Sequence, residues 1–160
     1  MSGWAGSYWA NRPIVMDLIR KRKPASILDI GVGSGFYGEM IRRDLPGVEL
    51  DGVEPFEGYR NPRWDCYDHI SPRDVLTWEP MPYDLFLMID VIEHMSIAEG
   101  QSLLHRLPGP VLVSTPWHYE QGPDENPLQA HVSEWNLTHF AGLPYRDFSN
   151  YLSAIVLVRG

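Results

Sequence analysis

Residues 27–38 read "ILDIGVGSGFYG", and this stretch constrains the fold more than any other part of the sequence. A short apolar run leads directly into closely spaced glycines, and a helical pattern begins directly after them. Such a strand, turn and helix let a ligand approach both the backbone and the N-terminus of the helix. The sequence therefore predicts a ligand site at this turn.

The glycines of the turn can be read in two registers. Gly33, Gly35 and Gly38 spell G-x-G-x-x-G, the dinucleotide-binding fingerprint, whereas Asp29, Gly31, Gly33 and Gly35 spell D-x-G-x-G-x-G. A pyrophosphate beside Asp29 would be repelled by a like charge in a partly desolvated site, which disfavours a dinucleotide. The ammonium and sulfonium groups of S-adenosylmethionine tolerate a carboxylate. A nicotinamide-dependent oxidoreductase and a glycine turn without a ligand remain as alternatives.

Short apolar runs alternate with helical patterns along the chain, which is typical of a parallel sheet covered by helices on both faces. Strands are predicted within residues 26–30, 48–54, 64–70, 83–90, 108–116 and 153–160, the third being the weakest. Helices are predicted over residues 13–22, 39–42 and 97–107, and after Ser133 through Trp135, Leu137 and Phe140. Residues 83–90 are apolar enough to be buried on both faces, so they are assigned to the centre of the sheet. The pattern predicts a doubly wound α/β fold.

The length of the chain indicates a single domain. Its 160 residues fit one core, since chains usually divide above about 200 residues. The single domain covers residues 1–160, and residues 1–25 are predicted to form an N-terminal helical segment. Residues 117–131 are rich in Pro, Gly, Asn, Asp and Gln and show no periodicity. A long irregular stretch in a small domain is usually functional, so we assign this loop to the substrate side.

Composition limits the partners and the compartment. The formal net charge of −8 opposes long-range attraction to nucleic acid, so a nucleic-acid partner is not expected. No apolar run approaches the roughly 20 residues that a membrane helix needs, and no secretory signal pattern is visible, so no membrane partner is expected. Cys66 is the single cysteine, which excludes an internal disulfide. We expect a cytoplasmic location.

Two acidic positions follow the glycine turn at spacings that suit an adenosine cofactor. Glu54 ends the second predicted strand, about 20 positions after the turn, where a carboxylate can accept hydrogen bonds from both ribose hydroxyls. Asp74 lies on a loop after the third predicted strand, beside Val75, where it could accept from an adenine amino group. A solvated turn or a helix cap is an equally good interpretation of Asp74.

A second group of polar residues follows the central strand. Asp90, Glu93 and His94 stand at i, i+3 and i+4, so a helical turn would present them on one side, at the end of the sheet where ligands bind. His131 follows the long loop and could join His94 as a proton shuttle or as two nitrogen ligands of a metal. The structural alternatives are that Asp90 and Glu93 are acids at the start of a helix and that His131 only holds the loop to the domain by a hydrogen bond.

The motifs together resemble the class I S-adenosylmethionine-dependent methyltransferases over nearly the whole chain, and most of all the small, poorly characterised members with "LDxGxGSGxYG", "GVEPFEGY", "IDVIEH" and "TPW…NPxQxHxSEW". The resemblance implies one Rossmann-like sheet of seven strands, ordered 3-2-1-4-5-7-6, with the last strand antiparallel. It implies S-adenosylmethionine as cofactor and S-adenosylhomocysteine as product. The residues it places around the cofactor are Asp29, Gly31, Gly33 and Gly35 at the methionine end, Glu54 at the ribose, Asp74 and Val75 at the adenine, and Asp90 on the side facing the substrate.

The leading hypothesis is an enzyme that transfers a methyl group in line to an unidentified acceptor, either a small molecule or a group on a larger carrier. His94 or His131 would remove a proton and Glu93 would orient the base. The second hypothesis is a metal-assisted RNA 2′-O-methyltransferase, although such enzymes use Glu where this chain has Asp90. The third is a non-catalytic S-adenosylmethionine-binding domain. No metal ligand is assigned, and the oligomeric state stays open.

Overall fold

The computed structural model describes residues 8–118 and 126–160. In these ranges three α-helices occur: α1 at Arg12–Arg22, α2 at Phe36–Asp44 and α3 at Ile97–Arg106. The strands are β1 at Ser26–Ile30, β2 at Glu49–Val53, β3 at His69–Ser71, β4 at Leu85–Ile89, β5 at Val111–Pro116, β6 at Tyr145–Asp147 and β7 at Ser153–Val158. Short 3₁₀ turns connect several of them. Within the same ranges, no helix is long and apolar enough to cross a membrane.

The seven strands form one sheet in the order β3-β2-β1-β4-β5-β7-β6, which confirms the order that the resemblance implies. Strands β1 to β5 run parallel, and β7 runs antiparallel to both β5 and β6. The strand order reverses at β1, which lies between β2 and β4. Ligands of open α/β sheets bind at such a switch point, beyond the carboxyl ends of the strands.

Helices cover both faces of the sheet, as predicted. On one face Leu103 of α3 packs with Trp135 and Phe140, and on the other Ile19 of α1 packs in the same cluster as Ile41 of α2. All five residues of β4 are buried, which confirms its central position. The sheet is thus fixed from both sides, and its carboxyl end is left to form a site.

The prediction of a strand over residues 64–70 is wrong for most of its length. Pro62–Cys66 is a 3₁₀ helix, and β3 comprises only the three residues that follow Asp68. The helix begins because Asn61 accepts a hydrogen bond from the Arg63 backbone N–H at 2.9 Å and Pro62 stands at its first position, where its missing N–H costs nothing. Local capping therefore outweighs the strand propensity of this segment.

Strand β6 is absent from the apolar pattern of the sequence. Its three residues are all exposed, so Tyr145–Asp147 shows no alternation between buried and exposed positions. The strand exists because it pairs with β7, a long-range contact that the local sequence does not encode.

The helix predicted to begin at Ser133 begins later. The 3₁₀ helix is Leu137–Phe140, and its cap is Asn136, whose side chain accepts from the Thr138 backbone N–H. Ser133 instead donates to the Met95 carbonyl oxygen at 2.7 Å and accepts from Trp135 Nε1 at 3.0 Å. The Ser133 hydroxyl therefore ties the chain after the long loop to the segment after β4.

Candidate active site

A cleft of about 360 Å³ opens at the carboxyl ends of β1, β2 and β4. It brings together nearly all the site residues that the sequence predicts. Those that line it are Asp29, Gly31, Gly33, Glu54, Asp74, Val75, Asp90, Glu93, His94 and His131. Gly35 does not line the cleft and instead caps the N-terminus of α2. Residues 117–131 reach the cleft through Asn126, Leu128, Gln129 and His131, whereas residues 119–125 lie outside the described part of the chain.

The backbone of the glycine turn has a conformation that residues other than glycine rarely adopt. Gly31, Gly33 and Gly35 have φ values of 80°, 52° and 77°, in the left-handed region. A Cβ added at Gly31 would also lie 2.5 Å from the Cγ2 atom of Val91, which follows β4. The turn is therefore held close against the next strand of the sheet.

Gly38 has a different reason for being glycine. A Cβ there would lie 2.2 Å from the ring of Tyr67, so the α2 helix needs a hydrogen at this position to admit the ring. The Tyr67 hydroxyl donates to Asp29 Oδ2 at 2.5 Å. The glycine at position 38 is therefore explained by the packing of Tyr67, which supports Asp29, and not by contact with a phosphate. This favours the register that begins at Asp29.

Asp29 is buried at the end of β1. Burial raises the pKa of Asp29, the hydrogen bond from Tyr67 opposes the rise and the nearby charge of Glu54 adds to it, and together they bring the pKa to about 7. A cation bound beside Asp29 would stabilise its ionised form. The role of Tyr67 is not predicted by the sequence, because the residue lies in the segment assigned to a strand and reaches Asp29 only through tertiary packing.

Glu54 joins the end of β2 to the glycine turn. Its Oε2 accepts from the Gly33 backbone N–H and its Oε1 from the Phe56 backbone N–H, both at 2.9 Å. Burial raises the pKa of Glu54, and these two hydrogen bonds oppose the rise. Each carboxylate oxygen can accept more than one hydrogen bond, so both keep capacity for a ligand hydroxyl.

Asp74 and Val75 form the wall of the cleft beyond β3. The Asp74 side chain accepts from the Leu76 backbone N–H at 2.9 Å and caps the 3₁₀ helix Val75–Thr77. Val75 is buried, while Asp74 is exposed. The helix-cap interpretation of Asp74 is therefore confirmed, and its role toward an adenine stays a prediction.

Asp90 follows β4 in a left-handed conformation, with φ of 55°. Its Oδ2 accepts from the Tyr8 backbone N–H at 3.2 Å, and Ser114 Oγ lies 3.5 Å from its Oδ1. Burial raises the pKa of Asp90 to about 6, against the effect of these contacts. Buried Asn11 donates to Ser153 Oγ at 2.7 Å and so fixes the same N-terminal segment to β7.

Glu93 lies on a 3₁₀ turn after β4 and is almost completely buried, with 2% of its surface exposed. Neither carboxyl oxygen makes a hydrogen bond with the described residues. Burial, and then the charge of Asp90, raise the pKa of Glu93 well above its usual value. Its main-chain oxygen accepts from the backbone N–H groups of Val132 and Ser133 and brings residues 131–133 to the cleft.

The two predicted histidines meet beside Glu93. The ring centroids of His94 and His131 are 4.8 Å apart, and His131 Nε2 lies 4.0 Å from Glu93 Oε1. His94 Nδ1 lies 3.2 Å from the Ala130 carbonyl oxygen, which can only accept, so Nδ1 carries the proton and Nε2 the lone pair of the neutral ring. Burial lowers the pKa of His94, and the neighbouring His131 lowers it further.

The same three residues could also hold a metal ion. One ligand atom from each of Glu93, His94 and His131 lies within 4.8 Å of the other two. The hydrogen bond from His94 Nδ1 to Ala130 fixes the ring in the way that metal-binding histidines are usually fixed. The cluster therefore fits two kinds of chemistry, proton transfer and metal binding.

No protein-family model matches the chain, and no curated protein sequence matches it either. Solved structures do match. An O-methyltransferase family protein from Burkholderia thailandensis is 12% identical with a TM-score of 0.67, over 94% of this chain and 56% of that one. PigF, solved with S-adenosylhomocysteine, is 17% identical with a TM-score of 0.68, over 94% and 56%. The methyltransferase domain of bacterial CtHen1 is 18% identical with a TM-score of 0.65, over 92% and 96%.

These likenesses establish the fold. The chain has the fold of the class I S-adenosylmethionine-dependent methyltransferases, as its motifs imply. It spans little more than half the length of the Burkholderia protein and of PigF, and nearly the whole of the CtHen1 domain.

Proposed function

We propose that this chain is an S-adenosylmethionine-dependent methyltransferase whose acceptor is still to be identified. The observation that carries the proposal is the construction of the cleft around Asp29. A buried carboxylate, a glycine turn in left-handed conformation and Glu54 bonded to that turn lie together at the switch point of the sheet. This arrangement suits an adenosine cofactor that carries positive charge and no phosphate.

The cleft offers a partner for each part of such a cofactor. Glu54 would accept from the ribose hydroxyls with the capacity its oxygens retain, and Val75 would cover the adenine beside Asp74. Asp29 would face the ammonium group across the glycine turn. S-adenosylmethionine supplies an activated methyl group, whose bond to sulfur breaks as its bond to the acceptor forms. The protein would contribute chiefly by alignment, for which oriented systems show about 7 to 11 kcal/mol.

The acceptor would bind beside Asp90, Glu93 and the two histidines. His94 is suited to remove a proton from an acceptor hydroxyl or amine, because its Nε2 carries a lone pair and its lowered pKa keeps the ring neutral. His131 is the second candidate for this role. Glu93, whose Oε1 lies 4.0 Å from His131 Nε2, would orient the acceptor or the base.

A screen for transfer of a labelled methyl group from S-adenosylmethionine to metabolite and RNA pools tests this proposal. We expect label in one chemical class of acceptor, and its loss in His94→Ala or in His131→Ala. Saturable cofactor binding without transfer to any acceptor would instead support a non-catalytic binding domain. Unchanged transfer by both histidine variants would contradict their assignment as the base.

The cluster of Glu93, His94 and His131 favours a second candidate, a metal-assisted RNA 2′-O-methyltransferase. The residues fit a divalent ion, since the buried Glu93 oxygens lack hydrogen-bond partners among the described residues and two imidazoles suit transition metals better than magnesium. The net charge of −8 opposes binding to a long RNA, so a short or terminal segment would be the substrate.

Metal dependence separates the two candidates. The metal-assisted enzyme should lose activity after treatment with a chelator, regain it with Mn²⁺ or Co²⁺, and methylate an RNA with a terminal 2′-hydroxyl but not its 2′-deoxy counterpart. Activity that withstands the chelator, together with no bound ion by elemental analysis of the purified protein, would remove this candidate.

A further inference from the structure

Arg12, the first residue of α1, carries a positive charge that has no counterion among the described residues. Its guanidinium carbon lies 4.7 Å from the centroid of the Phe36 ring. The guanidinium makes no hydrogen bond or ion pair with the described residues, and its Nε atom is buried. A buried N–H group without an acceptor costs free energy, and a ligand that accepts from it would remove that cost.

The position of Arg12 relates it to the cleft. Phe36 directly follows the glycine turn as the first residue of α2, and its ring lines the cleft. Tyr8, in the N-terminal segment that leads into α1, also lines the cleft and bonds to Asp90 through its backbone N–H. Arg12 therefore lies behind the wall of the cleft at the glycine turn, where the proposed function puts the methionine end of the cofactor.

The charges of the cleft leave one part of the cofactor without a partner. Carboxyl groups of Asp29 and Asp90 are available to an ammonium group at the glycine turn. Among the described lining residues, the one arginine or lysine is Arg73, which adjoins Asp74 at the adenine end. The methionine moiety is a zwitterion, so its carboxylate also needs a cation or several N–H donors.

We propose that the Arg12 guanidinium binds the α-carboxylate of the methionine moiety of S-adenosylmethionine, an inference that rests on the proposed function. A guanidinium can form two parallel hydrogen bonds with a carboxylate, and contact with an aromatic ring orients it. The Arg12 guanidinium lies over the Phe36 ring and would reach the carboxylate past that ring. The N-terminal segment thereby becomes part of the cofactor site.

Arg63 provides a matched control on the same ring. Its guanidinium carbon lies 4.1 Å from the Phe36 centroid, but its Nε pairs with Glu39 Oε2 at 2.9 Å. The charge of Arg63 is already compensated at the surface. The variants Arg12→Gln and Arg63→Gln each remove one cation over Phe36, yet only the first removes a cation without a counterion in the part of the chain that the structure describes.

Calorimetry with two nucleosides tests the proposal. S-adenosylhomocysteine carries the amino-acid moiety, and 5′-methylthioadenosine lacks it. Arg12→Gln should weaken binding of S-adenosylhomocysteine about 10- to 100-fold, the range for hydrogen bonds to charged groups, and change binding of 5′-methylthioadenosine by less than about twofold. Arg12→Lys should recover part of the loss, and Arg63→Gln should bind both nucleosides as the unmodified chain does.

Two results would overturn the inference while leaving the proposed function in place. One is an unchanged affinity of Arg12→Gln for S-adenosylhomocysteine. The other is an equal loss of affinity for both nucleosides, which would show that Arg12 supports the fold and not the carboxylate. Failure of the unmodified chain to bind either nucleoside would overturn the proposed function itself, and the inference with it.

Discussion

The two halves of the cleft differ in how their polar groups are satisfied. In the half around the glycine turn, Asp29 accepts from Tyr67, and both oxygens of Glu54 accept from backbone N–H groups. In the half after β4, buried Glu93 makes no side-chain hydrogen bond with the described residues, and the rings of His94 and His131 meet edge to face. The first half is already organised by the protein, whereas the second has capacity left for an acceptor or a metal.

Because of this contrast, the two halves of the cleft are tested by different experiments. Changes at the glycine turn should affect cofactor binding through the backbone, and they should be large because the geometry admits few substitutes. Changes after β4 should appear in the dependence on pH, because the groups there are held in protonation states that burial favours.

The largest effect is expected for Gly31→Ala. The new Cβ would meet Val91, and alanine is strained at a φ of 80°, so we expect a loss of about 2 to 4 kcal/mol in the free energy of unfolding. Urea denaturation measures it. Gly47→Ala is the control, because no atom lies within 4 Å of its added Cβ. Equal effects of the two substitutions would show that the turn is not held against β4.

Glu54→Gln should have the next largest effect. The amide has one oxygen in place of two, so it cannot accept from Gly33 and Phe56 as the carboxylate does and still serve a ribose. We expect affinity for S-adenosylhomocysteine to fall about 10- to 100-fold, measured by calorimetry. Glu57→Gln changes an exposed acid nearby and should leave the affinity unchanged. If both variants bind normally, the placement of the ribose at Glu54 is wrong.

Glu93→Gln should stabilise the protein in a manner that depends on pH. Because the folded pKa of Glu93 is raised above its ordinary value of 4.5, the folded state holds this proton more tightly than the unfolded state does. Its burial therefore lowers stability as pH rises above 4.5, and the neutral amide avoids this loss. We expect a gain of about 1 kcal/mol or more at pH 8 that disappears at pH 4, measured by denaturation at both values.

Glu99 supplies a control of opposite sign for Glu93. Its carboxylate accepts from Ser96 in a capping box, and these hydrogen bonds lower the pKa of Glu99. Its contribution to stability is present above the unfolded pKa and is lost as pH falls through the folded value. Glu99→Gln should therefore lower stability near pH 8. A gain at pH 8 in both variants would contradict the raised pKa of Glu93.

The smallest effect is expected for Tyr67→Phe. The change removes one hydrogen bond to Asp29 and leaves the ring over Gly38, so affinity for S-adenosylhomocysteine should fall only several-fold, by about 1 kcal/mol. Tyr83→Phe removes a similar hydrogen bond to Asp51, outside the cleft, and should change stability without changing affinity. A binding defect of the same size in Tyr83→Phe would show that Asp29 has no special role.

The sequence revealed the parts of the site that local spacing encodes. The glycine turn, Glu54 at the end of β2, and the acids and histidine after β4 follow their strands directly, and the sheet brings them to one edge. Tyr67 supports Asp29 only through tertiary packing, from a segment with no site motif, so its role could not be predicted from local spacing. Strand β6 was missed for a similar reason, because its exposed residues carry no apolar alternation.

The most direct test of the central claim is calorimetry of the unmodified chain with S-adenosylhomocysteine and with NAD⁺. The cleft built around Asp29 predicts binding of S-adenosylhomocysteine at one site with a dissociation constant on the order of micromolar, or about 8 kcal/mol of binding free energy, and no binding of NAD⁺. Binding of NAD⁺ without binding of S-adenosylhomocysteine would contradict the register that begins at Asp29, and the proposed cofactor with it.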